Sequence, residues 1–325
     1  MTQSAPRTRR GVSGGSVSLA DLLFRGSARI AAWLVLALVL GIGLRLALGS
    51  APALARFGPG FLASAEWNAV SERFGALVPL VGTLVTSTLA MLIAVPASFG
   101  IAIFVTELAP PLVRRPVAMA IELLAAIPSI IYGMWGLFAF APFFADHLQP
   151  WLTEHLGELP LAGRLFQGPP MGIGVFTASL ILSIMVIPFV SSVMRDVFEV
   201  VPHELKESAY AMGATTWEVL RHVVFPYTRV GVMGGILLGL GRALGETMAV
   251  TFVIGNAHRL SASLFMPGNT ISSALANEFT EAVGEMYTSS LVALGLVLFG
   301  LTFVVLAMAR LLLYRIGRQS GTGRA

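Results

Sequence analysis

PHELKESAYAMGATTWEVLRHVVFP, residues 202–226, is charged and amphipathic, and four residues later the chain enters GVMGGILLGLGRALGETMAVTFVIG, residues 231–255. A soluble-looking hairpin fused to a glycine-rich apolar helix carrying Arg242 and Glu246 predicts a device that links an outside force to a guarded path. Pro202 suits the first position of a short helix, and Gly213 suits its left-handed close. Thr215, with Glu218 three residues on, is a capping-box signature for a second helix. That helix is expected to end before Pro226, because proline disfavours helical backbone at the residue before it. Its apolar face would hold Trp217, Leu220 and Val224, with Glu218, Arg221 and His222 directed elsewhere.

Outside this stretch the composition decides the class. Over 325 residues, 56% are hydrophobic and 12% charged, and the mean hydropathy is +0.81, values that soluble globular chains do not reach. Apolar runs near residues 77–105, 117–144, 172–193, 231–255 and 288–313, and a sixth from Ile30 to Leu48, are each long enough to cross a hydrocarbon core. Arg45 near the end of the sixth can snorkel to the interface. The strict alternation of a membrane barrel is absent, so the fold class is an all-α integral membrane protein with six transmembrane helices.

Lys and Arg accumulate on the cytoplasmic side of short loops. With the N-terminus inside, that side holds Arg7, Arg9, Arg10, Arg25, Arg29, Arg114, Arg115, Arg195, Lys206, Arg221, Arg229, Arg310, Arg315, Arg318 and Arg324, whereas the outside holds Arg45, Arg56, Arg73, Arg164 and Arg259. Both termini are expected in the cytoplasm. The net charge of +4 then reflects topology and contact with anionic lipid, and no nucleic-acid partner follows from it. The chain has no cysteine, which excludes disulfides, thiolate catalysis and cysteine metal sites.

Residues 1–28 read as a flexible cytoplasmic tail, 29–48 as the first transmembrane helix and 49–76 as an extracytoplasmic loop. Five further transmembrane helices and the loop 197–228 fill 77–315, and 316–325 is a second cytoplasmic tail. Gly11, Ser13 and Gly15 match a nucleophile-elbow pattern but lack its strand-to-helix context and its His and acid partners. Ala53, Leu54 and Ala55 resemble a cleavage site, while the long tail and long apolar run favour an uncleaved anchor. The run from Leu77 to Val105 would reach about 43 Å as a straight helix against a core of about 30 Å, so it tilts, kinks at Pro96 or starts outside the core. Pro128 and Pro188 are expected to bend the third and fourth spans in the same way. Glu122, early in the third span, either faces a water-filled path or sits at the interface. In the outer loop, Asp146, His147, Glu154, His155 and Glu158 lack a compact metal-ligand spacing and read as surface charge, and no metal site is expected.

The hairpin admits three uses. A DNA reader is excluded, because Glu199, Glu204, Glu207 and Glu218 nearly balance its basic residues. An interfacial anchor and a docking element for a partner's groove stay open. In the fifth span Gly235, Gly239, Arg242 and Glu246 are spaced four, three and four apart and are expected to share one helical face. Two charges at mid-membrane depth cost about 2.5–3.5 kcal/mol each, so that face meets protein or water. One reading is an ion pair that fixes helix packing. The other is an anion path, in which the donors of Arg242 attract an oxyanion and Glu246 accepts a hydrogen bond from a protonated one or gates the path by closing on Arg242. Thr247 adds a hydroxyl, free for the path or bonded to its own backbone. GLGRALG lacks the spacing and the βαβ context of a dinucleotide site.

Glu207, Ser208, Ala209, then Gly213, then Val223, Phe225 and Pro226 resemble the EAA signature of ABC-importer permeases, with Ser208, Val223 and Phe225 in place of Ala, Ile and Leu. LKESAYAMGATTWEV, GLGRALGETMAVTFVIGN, AIELLAAIPSIIYGMWGLF and ALGLVLFGLTFVVLAMARLLL are similar to the phosphate-specific permeases of that family, over roughly residues 75–315. The resemblance implies a MetI-like permease bundle whose 197–228 loop is a coupling hairpin docked on a cytoplasmic ATPase. It implies a second homologous permease, two ATP-binding subunits and an extracytoplasmic phosphate-binding protein as partners, besides membrane lipid. It also implies a place in a bacterial cell (inner) membrane, and the substrate path is expected to hold Arg242, Glu246, Thr247 and Glu122. The chain has no Walker A motif, so ATP and Mg would be bound by the partner, and no enzyme activity is expected here. A permease for sulfate or molybdate, or a secondary anion transporter, remains the alternative.

Overall fold

The computed structural model describes residues 19–160 and 163–319. The Gly11, Ser13, Gly15 pattern, Arg7, Arg9, Arg10 and Arg324 lie outside these residues. The chain divides into two units, one through Leu48 and one from Gly49. Helix α1 (Leu19–Phe57) forms the first and continues into the second. Its side chains before Leu48 form an apolar surface, with Trp33 and Leu34 70% and 56% exposed.

In the second unit the helices are α2 (Leu77–Leu108), α3 (Pro111–Ala125), α4 (Ser129–Leu156), α5 (Val175–Glu199), α6 (His203–Ala211), α7 (Thr216–Leu244), α8 (Met248–Val253), α9 (Ile271–Glu278) and α10 (Glu285–Gln319). Two-residue strands, β1 (Trp67–Asn68) and β2 (Arg73–Phe74), pair antiparallel with Trp67 opposite Phe74. Six helices, α1, α2, α4, α5, α7 and α10, are long and apolar enough to cross a membrane. The fold is an all-α membrane bundle.

Four local expectations change. The third apolar run is not one helix: it breaks between Ala125 and Ser129, because Pro128 offers no backbone donor and turns Ile127 away from helical backbone. The spanning helix is therefore α4, which reaches Leu156 and takes in part of the expected outer loop. The fifth run also breaks, at Gly245 to Thr247, between α7 and α8. The second hairpin helix does not stop before Pro226 but runs through it as α7. A wide π turn over Leu220–Val224 immediately before that proline accommodates the missing donor and the ring. The same turn places Val219 and Val224, five residues apart, on the buried face with Leu220, and leaves Trp217 60% exposed. Pro96 and Pro188, by contrast, sit inside unbroken helices.

The main core lies where α5 meets α2, α7 and α8. Ala90, Ala94 and Ala102 of α2 present small side chains to Ile181, Leu182, Met185, Val186 and Val190 of α5, all buried. In a membrane such packing is driven by close van der Waals fit between small and large side chains. The Ser98 hydroxyl adds a hydrogen bond to the Ile187 carbonyl, 3.1 Å. A second core at the end remote from the hairpin gathers Ala53, Phe61, Phe74, Ile271, Ala274, Leu291 and Leu294. There the Ser289 hydroxyl donates to the Gly49 carbonyl, 2.9 Å, and accepts from the Ala53 N–H, 3.0 Å, pinning the end of α1 to α10.

Candidate functional site: a buried arginine donor on the helix that continues the hairpin

The hairpin is α6, a tight turn, and the start of α7. Gly213 closes α6 with φ +87°, backbone that L side chains avoid. Thr215 Oγ1 accepts from the Glu218 N–H, 3.4 Å, and Glu218 Oε2 accepts from the Thr215 N–H, 2.8 Å, the reciprocal pair of a capping box. The signature residues divide by direction. Glu207, Ser208, Gly213 and Pro226 are exposed, whereas Ala209 is buried and Val223 and Phe225 turn partly inward. Phe225 packs on Phe99 and Phe198, with ring centroids 4.8 and 6.2 Å away. The inward residues set the hairpin on the bundle and the outward ones leave Glu207, Ser208 and Gly213 free on its surface, beside Met212 at 83% exposure.

From Pro226 to Arg242, α7 rises about 24 Å as one rod. Gly235 and Gly239 do share its face with Arg242, and that face meets α5. A Cβ on Gly239 would come within 2.5 Å of Val190 and 3.3 Å of Met91, so only glycine allows α2, α5 and α7 to converge there. One turn on, the Arg242 guanidinium lies over the Phe189 ring, 5.3 Å from its centroid. Arg242 Nε is buried without a hydrogen-bond partner. A buried donor left unsatisfied is costly and calls for an acceptor.

Glu246 does not supply one. Because α7 ends at Leu244, Glu246 leaves the glycine face and turns to the next helix, where its Oε1 accepts from the Ala249 N–H at 3.2 Å. Among the described residues no ion pair joins Arg242 to Glu246; the pairs that form are elsewhere. Gly245 and the Thr247 hydroxyl, which donates to the Gly245 carbonyl at 3.4 Å, account for the break. Glu122 lies apart from this centre. Its Oε1 pairs with Arg195 Nη1 at 2.9 Å, and Arg195 stands six residues, about 9 Å, along α5 from Phe189. Arg195 also holds Asp196 at 2.9 Å.

The sequence reading passed over several partners. Phe189 carried no signal beyond its place in an apolar run. Lys206 Nζ binds Glu107 Oε1 at 2.5 Å with both side chains nearly buried, and its spacing of three from Ala209 would have placed it on the inward face. At the end remote from the hairpin, Glu278 Oε2 accepts from Trp67 Nε1–H at 2.6 Å and from the Tyr287 hydroxyl at 2.8 Å, and Oε1 lies 2.6 Å from His258 Nε2. The Trp67 ring stacks on His258, 5.0 Å between centroids. Burial pushes the Glu278 carboxyl up, but the bonds from His258, Tyr287 and Trp67 outweigh it and hold it below its ordinary 4.5.

One family of transport proteins matches this chain over most of its length. Its profile, the binding-protein-dependent transport system inner membrane component, matches residues 94–318. The chain belongs to that family. Among inner membrane components of this kind, a protein of Mesorhizobium japonicum named phosphate transport system permease protein PstC is 57% identical, over 98% of this chain and 97% of the relative. One of Pasteurella multocida with the same name is 59% identical, over 93% and 94%. A solved bacterial ABC transporter involved in the import of the acidic polysaccharide alginate contains a chain that superposes with a TM-score of 0.58 at 17% identity, covering 91% of this chain and 96% of that one. At that identity the likeness concerns the fold, which is the multi-pass bundle of the family.

Proposed function

We propose that this chain is a transmembrane permease subunit of an ATP-driven importer of inorganic phosphate. The observation that carries the reading is Arg242: a guanidinium with a buried donor lacking any acceptor, at the end of a helix continuous with the exposed hairpin. Its planar donors suit a tetrahedral oxyanion, and the names of the relatives support phosphate as that anion. The permease forms the path with a second, homologous permease. Of two ATP-binding subunits, which hold ATP and Mg, one docks on the exposed residues Glu207, Ser208 and Gly213, and an extracytoplasmic binding protein delivers phosphate from the other side. The hairpin and both termini face the cytoplasm of a bacterial cell, and the chain itself performs no catalysis.

Within this reading Arg242 receives the anion on the N–H donors of its guanidinium, since Phe189 covers one face. Glu246 and Thr247 follow in the break, where Glu246 repels fully deprotonated anions and accepts a hydrogen bond from a protonated one. Glu122, tied to Arg195, lines the path nearer the hairpin. The test is uptake of labelled phosphate in a strain lacking this gene, with and without the chain restored, in competition with sulfate and molybdate. Restoration of phosphate uptake that stops on ATP depletion is expected. Preference for sulfate or molybdate, or uptake indifferent to ATP, overturns the reading.

A further inference from the structure

The hairpin is joined through the backbone to α5 and α7. To α2 it is joined by side chains: Phe225 packs on Phe99, and Lys206 of α6 and Glu107 of α2 meet at 2.5 Å, with side chains only 11% and 8% exposed. By contrast, the pairs Arg56–Glu72, Arg73–Glu66, Arg195–Glu122 and Arg195–Asp196 each keep at least one side chain 55% or more exposed, and His258–Glu278, at 17% and 18%, lies at the other end of the bundle. Glu107 sits in a π turn, Phe104–Leu108, at the end of α2, and the carbonyl of neighbouring Thr106 is capped by Arg114 at 2.6 Å.

A buried ion pair adds little net stability, since desolvation offsets attraction, and its best-attested use is to fix register. Register matters here because of what the two joined helices do at their other end. From Glu107 to Met91, α2 climbs 16 residues, about 24 Å, and from Val223 to Gly239, α7 climbs the same number, also about 24 Å. Those two end points meet, Met91 Cε lying 3.3 Å from where a Gly239 Cβ would be, one turn before Arg242. If the hairpin moved α7 alone, α7 would shear against α2 at that contact. With Lys206 bound to Glu107, the same motion lifts both.

We propose that Glu107 and Lys206 are positioning residues for transport: a buried electrostatic strut that makes α2 follow the coupling hairpin, so that α2 and α7 deliver its motion to the Arg242 level together. This rests on the importer reading given above.

The test uses the full complex with its ATP-binding subunits and compares the native chain, the neutral double variant Glu107→Gln/Lys206→Met and the reversed pair Glu107→Lys/Lys206→Glu. Phosphate uptake and ATP hydrolysis are measured on the same membranes. The neutral double variant is expected to co-purify with the ATP-binding subunit and hydrolyse ATP, with phosphate moved per ATP reduced about tenfold; the reversed pair restores most of it. Native uptake per ATP in the neutral variant, no rescue by reversal, or loss of co-purification overturns the strut. Spin labels at Leu205 and Leu108, both exposed, give a readout independent of substrate. Their separation is expected to hold when ATP binds to the native complex and to shift by about 2 Å or more in the neutral variant. A shift in the native complex overturns the strut. A native complex that hydrolyses ATP and holds that separation but moves no phosphate overturns the importer reading alone.

Discussion

Arg242 lies over an aromatic ring, and its Nε is buried without a hydrogen-bond partner. Replacing it with glutamine keeps much of its length and removes the charge. Labelled-phosphate uptake is expected to fall about 100-fold, the equivalent of about 3 kcal/mol for lost charge-assisted hydrogen bonds, while the complex still assembles. If Arg242→Gln instead prevents co-purification of the second permease, the residue serves packing. At this scale the sequence showed that a charge at membrane depth needs protein or water around it, and Arg242 follows that rule. The separation of Glu246 from Arg242 was not legible, because a spacing of four implies a shared face only while the helix continues. Gly245 ends it, and Glu246 turns to the Ala249 N–H.

At the scale of the element, the hairpin depends on one backbone conformation. Gly213 has φ +87°, and a Cβ there would meet nothing within 4 Å, so the cost of substitution lies in the backbone alone. Gly213→Val is expected to loosen the hairpin by at least about 1–2 kcal/mol, and Gly213→Asn by less, since asparagine tolerates left-handed backbone. Proteolysis at the hairpin and co-purification with the ATP-binding subunit check the order. Equal behaviour of the two variants would show that the conformation is not needed. The close of α6 and the capping box at Thr215 were legible because both are local. The passage through Pro226 was not, because a π turn has no residue signature of its own, and Trp217 was assigned inward for the same reason.

For the whole molecule, hydropathy and length sufficed to find six spans, since a bilayer imposes both on any helix that crosses it. What they could not place were polar groups that meet only after folding, such as Trp67, 211 residues from Glu278, and His258 and Tyr287 from the segments either side of it. Glu278 is held below its ordinary 4.5 when folded. Its contribution to stability is therefore full above the unfolded value and is lost as pH falls through the folded one. The melting temperature of the purified protein is expected to drop on acidification below about pH 4.5, and Glu278→Gln should flatten that part of the profile. An unchanged slope would mean that the cluster does not sense protons. The π turn at Leu220–Val224 has a consequence for the bundle as well. Such a turn holds one residue more than an α turn, so it is spare length that leaves the angular setting of the rod untouched. Deleting one residue there, together with Pro226→Ala to remove the ring, should preserve uptake. The same deletion between Gly231 and Ile236 would rotate Arg242 by about 100° relative to the hairpin and stop it, which makes this turn the place where α7 tolerates a change of length.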